Sequence, residues 1–132
     1  MAFKRILIDR IEQIDLSNLT FENLRVCYGT GQAVLLSGSG RNKKYGYRSG
    51  IQTELGDIEI SVWRELVKRL VIRNNDQKLL SCYKKWLKST KNWLKPEEIE
   101  HEALELYTYQ MKDNTEWYDY EAFKEFWEYF KN

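Results

Sequence analysis

Residues 56–71 read GDIEISVWRELVKRLV, and the spacing of the apolar side chains changes within this stretch. Up to about residue 60 the apolar residues recur at every second position, which is typical of a half-buried strand. From residue 61 they recur every three or four positions, which is typical of one face of a helix. The chain therefore predicts a single α+β domain of 132 residues, with a β-rich part over 1–60 and a helical part over 61–132.

The β-rich part carries two signals for antiparallel hairpins. Apolar and polar residues alternate over 24–28, a turn with two glycines follows at residues 29–31, and an apolar run resumes over 34–36. They alternate again over 51–60, where a Gly-Asp pair at 56–57 predicts the turn. Residues 3–14 fit a strand and a helix face equally well, and their β-branched side chains favour a strand.

The helical part predicts about four helices. The first follows residue 60, and the second begins after Asp76, which suits an N-cap. The third begins at Pro96, which the first turn of a helix tolerates, and the last begins at about Tyr120. The expected buried faces comprise Trp63, Leu66, Val67, Leu70, Val71, Leu79, Leu80, Tyr83, Trp86, Leu87, Ile99, Ala103, Leu106, Phe123, Phe126, Trp127 and Phe130.

Charge is segregated along the helical part. Residues 61–95 contain ten Lys/Arg and two acidic residues, a net charge of +8, whereas residues 96–132 contain three Lys and eleven acidic residues, a net charge of −8. Opposite blocks of this kind indicate contacts between charged surfaces, within the molecule or with a partner. Either the basic helices pack against the acidic ones, or their lysines, with Trp86 and Trp93, contact a phosphate backbone.

The ionisable residues do not form a recognisable catalytic or metal site. His101 is the one histidine, and Glu98-x-x-His101 occurs once, whereas carboxylate-bridged di-metal bundles need that motif twice. Its position opposite the predicted apolar stripe places His101 in solvent. Cys27 and Cys82 are typical of small core residues without a disulfide. We therefore expect no enzyme activity, no catalytic residue, no metal and no cofactor.

A glycine-rich segment over 37–50 is a candidate partner-binding loop. It does not match a nucleotide-binding loop, because no glycine lies between Gly38 and the lysines in the required spacing and no Ser or Thr follows them. Cations and aromatic rings beside glycine suit phosphate and base contacts, an acidic protein groove, or simply a solvated hairpin loop. The candidate residues are Arg41, Lys43, Lys44, Tyr45, Tyr47 and Arg48.

The acidic C-terminal block is also rich in aromatic residues. Ten of the nineteen aromatic side chains follow Pro96, more than one core-facing stripe can bury. Exposed aromatic rings among carboxylates suit a docking surface or an imitation of nucleic acid, although core packing explains many of them equally well. The candidate partner-binding residues here are Trp117, Tyr118 and Tyr120, and we expect Tyr118, Tyr120 and Tyr129 to be exposed.

Two functional classes follow from these features. The first is a non-catalytic inhibitor or adaptor that binds a protein partner. The alternative is a nucleic-acid-binding accessory protein that uses the basic loop 38–50 and the basic helices within 61–95; the balanced net charge of +1 favours the first class. The short apolar run near residue 6 predicts no secretory leader, and no apolar stretch predicts a membrane span, so we expect a cytoplasmic protein.

The chain resembles the small phage- and plasmid-borne inhibitors of bacterial defence, among them the anti-CRISPR proteins of type II systems. The resemblance lies in short length, absence of a catalytic motif, a Lys/Asn/Glu/Tyr-rich composition and strong charge blocks, and it carries over no individual residue. It implies a partner that is an RNA-guided nuclease in the cytoplasm of a bacterial host. The basic nucleic-acid channels of such an enzyme could accept an acidic face.

Overall fold

A computed structural model describes residues 7–27 and 50–132 of the chain. It separates into two compact units, Met1–Leu66 and Val67–Asn132. The α+β class is confirmed, and four α-helices follow residue 59. The elements are β1 Leu7–Ile8, α1 Phe21–Leu24, β2 Gly50–Thr53, β3 Gly56–Glu59, α2 Ile60–Arg73, α3 Gln77–Thr90, α4 Pro96–Tyr109 and α5 Tyr120–Lys131, with 3-10 turns at Ile11–Gln13, Leu16–Asn18 and Met111–Asp113.

The described strands form a small mixed sheet in the order β1-β3-β2. β2 and β3 are antiparallel neighbours, whereas β1 pairs with β3 in parallel. The expectation of antiparallel hairpins alone is therefore wrong for β1. Of the ambiguous segment 3–14, the described residues 7–14 contain this short strand followed by a 3-10 turn.

The turn between β2 and β3 lies two residues earlier than predicted. Thr53 pairs with Gly56, so Glu54 and Leu55 form the loop. The Thr53 hydroxyl shapes it by donating to the Gly56 carbonyl (2.8 Å) and accepting from the Leu55 N–H (3.1 Å). Gly56 has a φ of 123°, a conformation that only glycine adopts without strain.

Residues 21–24 form a short helix, α1, and its last residue, Leu24, is where the predicted strand begins. Thr20 caps it, because its hydroxyl accepts from the Asn23 N–H (3.1 Å) while the Asn23 side chain accepts from the Thr20 N–H (2.9 Å). The Cys27 N–H then donates to the Gln52 carbonyl at 2.8 Å. The rest of the first predicted hairpin, residues 28–36, lies outside the described residues.

The predicted stripe of α2 is confirmed, because Trp63, Leu66, Val67, Leu70 and Val71 are all buried. In the second unit, α3 packs against both α4 and α5. Its buried residues are Leu79, Cys82, Tyr83, Trp86 and Leu87, which include four of the five predicted; Leu80 is half-buried.

The junction of α3 and α4 depends on a buried tyrosine. Asp76 occupies the N-cap position of α3, as predicted, but its side chain makes no capping hydrogen bond. Its carboxylate accepts instead from the Tyr107 hydroxyl at 2.7 Å, and the Asn74 amide also donates to that hydroxyl, at 3.3 Å. Burial, and next the bond to Asp76, raise the pKa of Tyr107 above its usual value.

The buried face of α4 is broader than predicted. Ile99 and Ala103 are buried as expected, but Leu106 is half-buried, and His101 is buried rather than solvated. The reason is that α4 has neighbours on more than one side: Glu100 pairs with Lys68 of α2, whereas Glu102 pairs with Lys91 just after α3. No helix in the described parts of the chain is both long and apolar enough to cross a membrane.

Candidate interaction surface

The last helix, α5, divides sharply into an inner and an outer face. Phe123 is fully buried: its ring stacks on Tyr83 with centroids 4.8 Å apart and meets the edge of Trp86 at 5.5 Å. The outer face carries Glu121, Glu125, Glu128 and Tyr129, all of which are exposed. These four residues lie on one side because successive residues of an α-helix are offset by about 100°.

Half-buried rings flank Phe123 on the inner face. Phe130 lies 6.4 Å from both Phe126 and Trp127, measured between ring centroids. The Lys85 ammonium lies 5.9 Å from the centroid of Phe130, and the Lys131 ammonium lies 5.9 Å from that of Trp127. Lysine ammonium groups therefore lie over two rings that the sequence predicts to be buried in the core. Each such cation–π contact contributes on the order of 0.5–1 kcal/mol to stability.

Two tyrosines on the outer side of this segment are almost fully exposed. Tyr118, just before α5, is 90% exposed, and Tyr129 is 88% exposed. Tyr129 directly follows the exposed Glu128 in sequence, and Tyr118 lies two residues after the exposed Glu116. We call the set Tyr118, Glu121, Glu125, Glu128 and Tyr129 the α5 surface.

The other predicted residues of this segment are less accessible. Trp117 is half-buried, with its ring 5.6 Å from that of Tyr109 and nearly perpendicular to it. Tyr120, which we expected to be exposed, is half-buried, and the Lys124 ammonium lies 5.2 Å from its ring centroid. A hydrogen bond with the Tyr120 side chain is the main cause that raises the pKa of Lys124.

Six predicted partner-binding residues are not among those that the structure describes. They are Arg41, Lys43, Lys44, Tyr45, Tyr47 and Arg48. The candidate surface is therefore built from the second unit alone, and it adds Tyr129, whose place on the outer face of α5 follows from helical spacing.

Part of the basic block faces acidic side chains within the second unit. Lys68 lies 3.2 Å from Glu100, and Lys91 lies 3.3 Å from Glu102, measured between nitrogen and oxygen. Both pairs are partly exposed, so each contributes on the order of 0–1 kcal/mol. At the end of α5, the Lys78 ammonium donates to the Lys131 carbonyl at 3.1 Å.

His101 lies beside Glu105 on α4. Its Nε2 lies 4.0 Å from Oε2 of Glu105, one turn further along α4. The Glu98 carboxylate, the other member of the predicted motif, accepts from the Lys95 N–H at 2.8 Å and thereby caps the start of α4. Among the described residues, no three His, Cys, Asp or Glu side chains are grouped to hold a metal ion.

The two cysteines differ in environment. Cys82 is fully buried in α3, as predicted, whereas Cys27 is exposed, which contradicts the expectation of a core residue. Burial raises the pKa of the Cys82 thiol to about 12. Since the thiolate is the reactive form, Cys82 stays protonated and unreactive until the pH approaches that value.

We therefore expect one thiol of the folded protein to react with Ellman's reagent at pH 8, and two after denaturation. Cys27→Ser should remove the reaction of the folded protein, whereas Cys82→Ser should leave it unchanged. Absorbance at 412 nm against time measures both. Fast reaction of both native thiols at pH 8 would show that Cys82 is accessible.

The α5 surface combines hydrogen-bond acceptors, negative charge and two aromatic rings. Such a surface attracts cationic groups and offers the rings as anchors that become buried on binding. Comparison of the chain with protein-family models, with curated proteins and with solved structures returned no match.

Proposed function

We propose that this chain is a non-catalytic binding protein that inhibits or adapts a macromolecular partner through the α5 surface. The observation that carries the proposal is the near-complete exposure of Tyr118 and Tyr129 within an acidic segment. Tyrosine is enriched at the energetically dominant positions of interfaces, because its ring buries a large area and its hydroxyl bonds at the edge.

The partner in this proposal is a protein with a basic groove, of the kind that holds nucleic acid in an RNA-guided nuclease. Glu121, Glu125 and Glu128 follow one another along the outer face of α5 with a rise of about 6 Å and then about 4.5 Å. Glu128 is paired with Lys131 of the same helix at 3.2 Å, a partly exposed contact that a basic groove can replace. Such a row of carboxylates takes the place of successive phosphates in a groove lined by Lys and Arg. Inhibition then results from occupation of the groove, and a bacterial cytoplasmic location belongs to the same proposal.

The test is affinity capture from a nuclease-treated bacterial lysate, followed by binding measurements with the purified protein that is captured. We expect one dominant protein, and we expect the double variant Tyr118→Ala/Tyr129→Ala to bind it at least tenfold more weakly. That loss corresponds to about 1.4 kcal/mol, which two anchor residues should exceed. The triple variant Glu121→Gln/Glu125→Gln/Glu128→Gln should bind more weakly and with less dependence on salt.

Ile72→Ala is the control, because Ile72 is also a large exposed side chain but lies on α2. It should leave the affinity unchanged, and all variants should keep the melting temperature of the wild type. Equal capture of the same protein by the double tyrosine variant would rule out the α5 surface. Loss of the captured protein on nuclease treatment would instead favour a nucleic-acid-mediated association.

A further inference from the structure

A second surface, separate in sequence from the α5 surface, carries the opposite charge. Residues 77–96, which comprise α3, the connector to α4 and the first residue of α4, contain six lysines and no acidic residue. Their net charge of +6 is concentrated in twenty residues of a chain whose total is +1. A basic segment of this density attracts polyanions.

The two tryptophans of this segment have different environments. Trp86 is buried and packs edge-on against Phe123, so it cannot stack on a ligand. Trp93 lies on the connector between α3 and α4 and is 71% exposed. Trp93 is therefore the one aromatic residue of residues 77–96 whose ring is largely exposed to solvent.

Backbone hydrogen bonds hold the connector before and after Trp93 in sequence. The Lys91 N–H donates to the Leu87 carbonyl at 2.7 Å, and the Leu94 N–H donates to the Lys91 carbonyl at 3.1 Å. Because the backbone is already ordered, little conformational entropy is lost when a ligand covers the ring.

The lysines around Trp93 differ in their partners. Lys91 is engaged by Glu102, but Lys88 and Lys95 are exposed and form no ion pair with any described residue. Two acidic residues lie in the first turn of α4. The Glu98 carboxylate accepts a hydrogen bond from the Lys95 backbone N–H, and Glu97 is exposed. Two exposed lysines thus lie near Trp93 in sequence, one five residues before it and the other two residues after it.

We infer that residues 88–95 form a binding site for single-stranded nucleic acid. One base stacks on the Trp93 indole, and Lys88 and Lys95 contact the adjacent phosphates. A single strand fits because its bases are free to stack, whereas duplex DNA hides them. The inference goes beyond the proposed function, since it concerns a different surface and a different class of ligand.

The test measures fluorescence anisotropy of labelled (dT)20 and of a 20-bp duplex titrated with the full chain at several salt concentrations. We expect the single strand to bind more tightly. Trp93→Ala should weaken its binding by about fivefold or more, the effect of one lost stacking contact, and Trp93→Phe should restore most of it. Lys88→Gln/Lys95→Gln should reduce the slope of log K against log salt concentration by about 1.4.

Lys124→Gln/Lys131→Gln is the matched control, because it removes the same charge from α5 and should change the slope far less. The inference is overturned if the wild type does not bind (dT)20 at low salt, if it binds the duplex equally well, or if Trp93→Ala binds normally. It is also overturned if both lysine pairs act equally, since net charge alone would then explain binding. Affinity of the double tyrosine variant for (dT)20 should be unchanged, so this inference and the proposed function fail separately.

Discussion

Replacing Phe123 with alanine is expected to lower the free energy of unfolding by about 3–5 kcal/mol. Phe123 is the residue of α5 that is fully buried, and its ring contacts both Tyr83 and Trp86 of α3. Removal of the ring leaves a cavity bounded by two large aromatic side chains that cannot collapse into it without leaving their rotamers. The loss is a large fraction of the 5–15 kcal/mol that stabilises a typical domain, to order of magnitude.

The measurement is urea unfolding followed by circular dichroism at 222 nm. Phe123→Leu keeps much of the buried volume and should be less destabilising, and Phe126→Ala, at a half-buried position of the same helix, should also cost less. Since Phe123 holds α5 in place, Phe123→Ala should in addition weaken binding through the α5 surface. If its midpoint matched that of the wild type, α5 would not be packed on α3 in solution.

The helices of the second half follow from sequence because their apolar spacing is strong. Five apolar residues recur with helical period over 63–71, and all of them are buried. The start of α4 also follows, because Pro96 suits a first turn and Glu98 returns to cap it. These signals are local, and the packing of α3 between α4 and α5 only reinforces them.

The elements that sequence analysis misplaced depend on side-chain bonds or on several neighbours at once. α1 is too short to show a period, and its cap, Thr20 with Asn23, is a signal that alternation over 24–28 obscures. The turn at Glu54 and Leu55 depends on the Thr53 hydroxyl rather than on a Gly-Asp pair. His101 is buried because α4 is covered on two sides, which a single-stripe rule does not anticipate.

The candidate surfaces were only partly predictable for a related reason. An excess of aromatic residues shows that some must be exposed, but not which ones. Tyr118 is exposed, whereas the ring of Trp117 contacts Tyr109, eight residues earlier, and the ring of Tyr120 lies under Lys124, one helical turn later. Likewise, Trp86 and Trp93 both lie among lysines in sequence, and only the packing of α3 against Phe123 distinguishes them.

The second large effect concerns Trp63, which anchors α2 to α1 within the first unit. Its side chain is fully buried, and its indole N–H donates to the Leu24 carbonyl at 2.8 Å. The last carbonyls of a helix lack partners within that helix, so the indole satisfies a group at the end of α1 that would otherwise be buried without a hydrogen bond. Trp63→Ala removes both the packing and the donor and should cost about 3–5 kcal/mol of unfolding free energy.

Trp63→Phe separates the two contributions, because it keeps an aromatic ring and removes only the donor and part of the volume. Leaving a buried carbonyl without a partner costs about 1–3 kcal/mol, so this variant should fall between the wild type and Trp63→Ala. Urea unfolding at 222 nm measures all three proteins without depending on the fluorescence of the replaced tryptophan. Equal stability of Trp63→Phe and the wild type would mean that water reaches the Leu24 carbonyl once the indole is absent, and the junction of α1 and α2 would then rest on apolar packing alone.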